Sequence, residues 1–228
     1  MEYGHMHFLT ATTPQVSFDE HGMAARKGEY EATSEIHAVA GDFAPKPIAW
    51  GTFKSRPDAH YYICKFYELD ERIPEPAEFC ARLAELHKLS VSPNGKFGFH
   101  VVTYNGNLPQ ENGYADTWEQ FFANGFEHML NLNIERGGPW EEMEALRPAM
   151  LSKVIPRLLR PMETSGRSIK PSLVHGDLWH GNTAMSLEIG DPHELNFHPG
   201  ISKSTTFTSR GRCQKKTMMT ATLCIVCK

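Results

Sequence analysis

The stretch that most constrains this chain runs from Leu173 to Asn182 and reads LVHGDLWHGN. A His stands two positions before an Asp, and an Asn follows five positions after it, which is the H-x-D-x-x-x-x-N spacing of a kinase-type catalytic loop. In phosphoryl transfer to an alcohol, a carboxylate orients the attacking hydroxyl and accepts its proton, while a nearby amide oxygen holds magnesium on the phosphates. The pattern therefore predicts Asp177 as the catalytic base, Asn182 as a metal ligand and His175 as a brace for the loop.

Composition excludes several classes of protein. The chain has 228 residues, a net charge of −4 and 22% charged residues, which is ordinary for a globular protein and gives no reason to expect nucleic acid as a partner. No apolar run approaches the roughly 20 residues that span a bilayer, and no secretory signal is visible. Five cysteines without regular spacing favour reduced thiols. We expect a monomeric, cytoplasmic protein with no membrane or nucleic-acid partner.

The charge changes sign near residue 193. From Leu195 to Lys228 there are six Lys or Arg residues and no Asp or Glu, which leaves 17 basic and 27 acidic residues in the first 194. The sequence after Gly200 is rich in Ser, Thr, Lys and Arg and shows no helical or strand period until Leu223. We therefore expect residues 193–228 to form a divergent, disordered tail.

Four stretches carry a resemblance to a known family. They are the catalytic-loop stretch, KFGFHVVTYNGNLPQ from Lys96, DTWEQFF from Asp116 and VIPRLLRP from Val154. Together they resemble the fructosamine-3-kinase family, with the fungal-type ketosamine or ribulosamine 3-kinases most similar. This family belongs to the aminoglycoside-phosphotransferase branch of protein-kinase-like folds. The resemblance runs from about Lys27 to about Pro192.

The resemblance implies an α+β, bilobal protein-kinase-like fold with a truncated small-lobe sheet and a mainly helical, incomplete large lobe. Residues 1–68 would form the partial small lobe and the hinge, and residues 69–192 the large lobe with the catalytic loop. Periodicity and turn residues place strands at His7–Ala11, Ile48–Phe53, Tyr61–Phe66 and Ser172–Val174, and helices from Glu20 to Val39 and from Glu75 to Ser90. A polar loop is expected between the first strand and Asp19. Pro148 and Pro156 are expected to bend or divide a later helix.

The resemblance also implies further site residues. Glu29 would be the helix carboxylate that pairs with a strand lysine, but Thr10 falls where that lysine is expected. Lys65 and Phe66 would lie at the hinge, where backbone groups meet the adenine of ATP. The segment from Pro93 to Gln110 would contribute to the acceptor side of the cleft, although its aromatic rings could equally be core.

A second magnesium ligand is expected after Asn182. Asp191, in the sequence IGDP, is the candidate that the resemblance suggests. The residues 190–192 also fit the turn of a hairpin, in which case the metal-binding Asp would lie further along the chain. Both interpretations remain open from the sequence.

The function implied is ATP- and Mg²⁺-dependent phosphorylation of the 3-hydroxyl of a ketosamine. The acceptor would be ribulosamine or fructosamine on a glycated protein lysine, or a small ketosamine, and the outcome would be repair of the protein amine. The alternative is a truncated, inactive pseudokinase that binds nucleotide or glycated protein without turnover, which the missing lysine favours. A small-molecule kinase acting on aminoglycoside- or choline-like alcohols is a further possibility.

Overall fold

A three-stranded antiparallel sheet carries one long helix at the start of the computed structural model. The structure describes residues 12–67, 69–70, 74–178, 182–186 and 197–199. The strands are β1 (Thr12–Phe18), β2 (Pro47–Phe53) and β3 (Arg56–Lys65), in the order β1-β3-β2. The helix α1 (Asp19–Ala40) connects β1 to β2 and packs on the sheet. The central position of β3 places its end, and therefore the predicted hinge, beside both neighbouring strands.

The position of β1 corrects the sequence prediction. A polar loop was expected between Ala11 and Asp19, but all seven residues of β1 pair with β3, from Thr12 opposite Lys65 to Phe18 opposite Ala59. Pro14 does not prevent this pairing, because β1 lies at an edge of the described sheet and needs no donor on its outer side. The predicted strand His7–Ala11 lies outside the described residues, as does Thr10.

Helix α1 confirms the predicted helix, because it begins and ends within one residue of the predicted bounds, Glu20 and Val39. At its start the side chain of Asp19 accepts a hydrogen bond of 3.0 Å from the backbone N–H of Gly22. At its end Gly41 adopts a φ of 54°, and its N–H donates to the carbonyl of His37. Glycine takes this left-handed conformation without a steric penalty, so Gly41 ends the helix.

Two further helices follow the sheet. They are α2 (Pro76–Leu89) and α3 (Trp118–Gly137), and between them lies a hairpin of β5 (Tyr104–Asn105) and β6 (Leu108–Pro109). The carboxylate of Glu75 caps α2 by accepting from the N–H of Glu78. The hydroxyl of Thr117 caps α3 in the same way, by accepting from the N–H of Gln120.

The prolines divide the next helical stretch as predicted. Helix α4 (Glu141–Ala149) contains Pro148 and leads into a π-helical turn at Met150–Val154, after which α5 (Ile155–Leu159) begins. Pro148 has no N–H to donate, and the helix widens directly after it. The widened turn brings Met150 to the wall of a cleft described below.

A second sheet carries the end of the predicted large lobe. It contains β4 (Leu69–Asp70), β7 (Thr183–Ser186) and β8 (Phe197–Pro199) in the order β4-β7-β8. The antiparallel pair β7–β8 forms a hairpin whose connection is residues 187–196. Strand β8 lies inside the range 193–228, which the sequence predicts as a divergent tail. No helix among the described residues combines the length and apolar character needed to cross a membrane.

Candidate active site

The segment that leads into the catalytic loop is anchored on the end of α2. The backbone N–H of Leu173 donates a 2.9 Å hydrogen bond to the hydroxyl of Ser90, a side chain that is only 1% exposed. Leu173 also packs against the buried core cluster of Ile36, Phe43, Ala44 and Leu86. The predicted strand Ser172–Val174 is wrong, because the N–H of Leu173 donates to a side chain rather than to a neighbouring strand. The anchoring fixes where the next residues, His175 to Asp177, can lie.

Asp177 and Asn182 meet directly in the structure. The amide Nδ2 of Asn182 donates to the carboxylate Oδ2 of Asp177 and to its backbone carbonyl, each at 2.9 Å. Gly176 precedes the Asp with a φ of 84°, a conformation that favours glycine. Because both hydrogen bonds use Nδ2, the amide oxygen of Asn182 is left for another partner. The structure therefore brings the two predicted residues together, and their roles as base and metal ligand stay predictions.

His175 supports the same loop. Its Nδ1 accepts a hydrogen bond of 3.3 Å from the backbone N–H of Asp177, which requires the neutral ring with its proton on Nε2. Burial lowers the pKa of His175, and the carboxylate of Asp177 acts in the opposite direction. The ring is therefore neutral near pH 7 and can act as an acceptor.

We expect His175 to make the folded protein less stable in mild acid. Since its pKa is lower in the folded than in the unfolded chain, the unfolded chain binds more protons, and stability falls as pH drops below about 6.5. Protonation of Nδ1 also removes the acceptor for the N–H of Asp177. Melting temperatures measured from about pH 8 to pH 5 should fall less steeply for His175→Gln than for the wild-type chain.

Two controls accompany this measurement. His21→Gln, at an exposed position in the first turn of α1, should leave the slope unchanged. Burial also lowers the pKa of His87, but that residue is present in every variant and its effect cancels. Equal slopes for the wild-type chain and His175→Gln would show that His175 is not the group responsible.

An aromatic cleft lies beside the catalytic loop. It has a volume of about 740 Å³, and its wall includes Val174, His175 and Gly176. The opposite walls come from the segment after Pro93 and from α3, with the side chains of Phe97, Phe99, Tyr114, Trp118, Phe121, Phe122 and Phe126. Phe97 is only 8% exposed and packs on Trp118 at 5.8 Å between ring centroids. Phe97 is thus part of both the core and the cleft wall, and the contribution of this segment to the acceptor side stays a prediction.

Glu29 lies in a second cluster, between α1 and the sheet. Its carboxylate forms an ion pair of 2.6 Å with Arg26, three residues earlier on the same helix. The amide oxygen of Gln15 on β1 accepts a hydrogen bond from Arg26. Burial raises the pKa of Glu29, while Arg26 and Gln15 lower it. Among the described residues, the ion-pair partner of Glu29 is therefore an arginine of its own helix rather than a strand lysine.

The other polar groups of this cluster stay neutral. Burial raises the pKa of Tyr62 far above its usual range and raises that of the Cys64 thiol to about 11. Both side chains come from β3 and lie close enough to Glu29 for its charge to raise their pKa values further. The charges of this cluster are consequently those of Arg26 and Glu29.

Lys65 and Phe66 lie where β3 ends. The N–H of Lys65 donates to the carbonyl of Lys46 at 2.9 Å, and its Nζ stands 4.4 Å from the centroid of the Tyr67 ring. Phe66 is 47% exposed. The structure thus places Lys65 at the last position of β3 and Phe66 in the connection to β4, and their role at an adenine site stays a prediction.

The predicted magnesium ligands are only partly within the described residues. Asn182 offers its amide oxygen, whereas Asp191 lies outside the described residues, in the connection between β7 and β8. No group of three His, Cys, Asp or Glu side chains in the described ranges could hold a metal ion by itself. The amide of Asn182 beside the carboxylate of Asp177 suits a hard cation such as Mg²⁺.

Three residues make contacts that were not found from the sequence: Arg26, Gln15 and Ser90. The spacing of Arg26 and Glu29 was a usable signal, since residues three apart on a helix are neighbours. The contacts of Gln15 and Ser90 join residues of different elements. No local sequence pattern predicts such contacts.

Comparisons with known proteins agree with these features. A family model described as fructosamine kinase matches residues 15–199. A ketosamine-3-kinase of Mus musculus is 38% identical over 90 residues, which cover 39% of this chain and 27% of that protein. A chloroplastic protein-ribulosamine 3-kinase of Oryza sativa subsp. indica is 31% identical over 173 residues, which cover 75% of this chain and 47% of that protein. The chain thus spans less than half the length of these relatives.

A solved structure shows the fold. The crystal structure of a proposed fructosamine-3-kinase from Haemophilus somnus 129PT superposes with a TM-score of 0.59 over 78% of this chain and 56% of that one. The sequences are 17% identical in this comparison. The described strands and helices therefore have the α+β, protein-kinase-like fold that the sequence predicts.

Proposed function

Because the chain belongs to the fructosamine kinase family, we propose that it transfers the terminal phosphate of ATP to the 3-hydroxyl of a ketosamine. The acceptor is a ribulosamine or fructosamine, either on a protein lysine or as a small molecule. Phosphorylation at this position serves the removal of the sugar from the amine, which makes the reaction a repair of glycated protein. A cytoplasmic location and a monomeric state belong to the same proposal.

One observation carries this proposal. The carboxylate of Asp177 is held at 2.9 Å by the amide of Asn182 in a loop whose preceding residues line a large cleft. Phosphoryl transfer requires little covalent chemistry from the protein and depends on positioning and electrostatics. A fixed carboxylate next to an open cleft provides the positioning.

Asp177, His175 and Asn182 each have a separate role in the proposed phosphoryl transfer. Asp177 accepts a hydrogen bond from the acceptor hydroxyl, orients it and takes its proton as the new oxygen–phosphorus bond forms and the bond from the γ-phosphorus to ADP breaks. His175 accepts the backbone N–H of Asp177 and so supports the position of that residue in the loop. Asn182 would hold Mg²⁺, which neutralises charge on the phosphates when bound.

The cleft provides a binding place for the acceptor. Its walls are mostly apolar, with a few polar side chains among the aromatic rings, as in many small-molecule sites. The aromatic faces can pack against the C–H groups on one face of a sugar and against the methylene chain of a lysine. The segment between Pro93 and Gln110 would in this way contribute to the acceptor side.

The proposal is tested by phosphorylation assays on a panel of acceptors. The purified chain is incubated with Mg-ATP and fructosyl-lysine or ribulosyl-lysine, and ADP release and the phosphorylated product are measured. Fructose, lysine, choline and an aminoglycoside serve as matched controls. We expect phosphorylation of the ketosamines alone, with phosphorus NMR locating the phosphate on the 3-oxygen.

The pseudokinase alternative is favoured by one specific observation. Strand β1, which precedes α1, contains neither Lys nor Arg, although kinase-like sites use a strand lysine for the phosphates. Binding of Mg-ATP without phosphorylation of any ketosamine would support this alternative and contradict the proposed activity. Phosphorylation of the aminoglycoside or of choline alone would instead indicate a different acceptor class.

A further inference from the structure

Three polar side chains in the wall of the cleft form a hydrogen-bonded chain. They are Thr103, Gln110 and Asn112. The amide Nδ2 of Asn112 donates to the backbone carbonyl of Val101 and to the hydroxyl of Thr103, each at 3.0 Å. That hydroxyl donates in turn to the amide oxygen of Gln110 at 2.8 Å. His175 borders the same cleft, so these side chains share a cavity with the catalytic loop.

The direction of these hydrogen bonds fixes which end of Gln110 is free. A backbone carbonyl only accepts, so the atom of Asn112 that meets Val101 is its nitrogen. The second hydrogen of this nitrogen goes to Thr103, whose own hydrogen is then left for the oxygen of Gln110. The nitrogen Nε2 of Gln110 therefore keeps two hydrogens to donate. Among the described residues no acceptor meets this nitrogen, which is accessible rather than sealed in the interior.

The segment that carries Gln110 is held from two sides. On one side, Nε2 of His128 on α3 donates to the backbone carbonyl of Pro109 at 2.9 Å. On the other side α1 packs directly on the segment, since a side-chain carbon at Gly28 would lie 2.3 Å from the carbonyl oxygen of Val102. A recognition group on such a support keeps a fixed position in the cleft.

The two free groups of this chain of side chains match the hydroxyls of a sugar. Gln110 offers a donor, and the amide oxygen of Asn112 is left as an acceptor because its nitrogen makes both hydrogen bonds. A sugar hydroxyl both accepts and donates, so it can meet either group. The protonated amine of a ketosamine has no lone pair and cannot accept from Gln110. This part of the wall therefore suits the sugar of the acceptor rather than its amine.

We propose that Gln110 recognises the sugar of the acceptor by donating from Nε2 to a sugar oxygen, and that Thr103 and Asn112 position it. This inference rests on the proposed kinase function and names the residue that selects the sugar. Thr103 acts through Gln110, because its hydroxyl holds the amide oxygen and prevents the amide from turning over. Loss of the donor weakens binding of the sugar and leaves the binding of nucleotide unaffected.

Calorimetry with fructosyl-lysine tests the role of Gln110. Gln110→Met keeps the length of the half-buried side chain but removes the donor. We expect the affinity for fructosyl-lysine to fall about 5- to 10-fold and the affinity for Mg-ATP to stay within about 2-fold, since one neutral hydrogen bond is lost. Where the chain phosphorylates fructosyl-lysine, its KM should rise by the same factor while kcat stays nearly constant.

Thr103→Val and Thr103→Ser separate positioning from packing. Valine has nearly the shape of threonine but no hydroxyl, so the oxygen of Gln110 loses its partner while the wall keeps its volume. We expect the affinity for fructosyl-lysine to fall about 3- to 5-fold in Thr103→Val and to stay within about 2-fold of the wild-type value in Thr103→Ser, which keeps the hydroxyl. A role in packing alone predicts the reverse order, because serine lacks the methyl group that valine keeps.

Gln120→Met is the matched control. Gln120 is an exposed residue of α3 outside the wall of the cleft, so the same chemical change there should leave both affinities unchanged. Thermal melts establish that each variant is folded. If Gln110→Met does not fold, the order of the two Thr103 variants decides the question.

The outcomes separate this inference from the proposed function. An unchanged affinity of Gln110→Met for fructosyl-lysine overturns the role of Gln110, even if the chain phosphorylates ketosamines. Equal losses for fructosyl-lysine and Mg-ATP also overturn it, because the substitution then disturbs the whole site, and so does a wild-type chain that binds no fructosyl-lysine. Binding of fructosyl-lysine that depends on Gln110, without phosphorylation, supports this inference and contradicts only the proposed activity.

Discussion

Asp177→Asn is expected to reduce ketosamine phosphorylation by at least about 100-fold, the lower end of what a positioned general base contributes. An amide has nearly the shape of a carboxylate but cannot take the proton of the acceptor hydroxyl. The side chain can still accept the hydrogen bond from Asn182, so the loop should keep its conformation. Phosphorylation of fructosyl-lysine is measured together with Mg-ATP binding, which should be unchanged.

The matched control for this variant is Asp58→Asn. Asp58 lies on β3, pairs with Arg56 and is 59% exposed, so the same chemical change there should leave turnover unaffected. Full turnover in Asp177→Asn would remove Asp177 as the base. Loss of Mg-ATP binding together with turnover would show that the substitution disturbs the site as a whole.

Leu86→Ala is expected to destabilise the fold by about 3 kcal/mol. Leu86 is fully buried at 0% exposure in the core cluster on which Leu173 packs. Truncation removes apolar contacts and leaves a cavity that the surrounding helices cannot fully close. The free energy of unfolding in urea provides the measurement, and phosphorylation should fall as well because the anchored segment before the catalytic loop loses its support.

Leu89→Ala provides a control on the same helix. Leu89 is 51% exposed, and the same substitution there should cost no more than about 0.5 kcal/mol. Equal destabilisation by the two variants would show that the core does not lie on the Leu86 face of α2. The slope of the unfolding free energy against urea concentration should stay the same in both variants. A change in that slope, rather than in the midpoint alone, would indicate that unfolding is no longer a single transition.

The sequence by itself determined the elements whose signals are local. The spacing of His175, Asp177 and Asn182 predicted their meeting, because a loop of this length with two glycines can close on itself. The bounds of α1 and α2 followed from apolar periodicity and from capping residues such as Gly41. The family also followed from short stretches, since the matched residues 15–199 include all four of them.

Only the tertiary structure decided how distant segments meet. The strand β1 forms from residues with a loop-like composition because β3 offers seven partners for its backbone. The segment at Leu173 is not a strand because Ser90, 83 positions away in sequence, takes its hydrogen bond. The contact of Arg26 with Gln15 could not be assigned from the sequence, since it arises where a helix packs on a sheet. Hydrogen bonds and burial between distant residues depend on that packing, which no local pattern encodes.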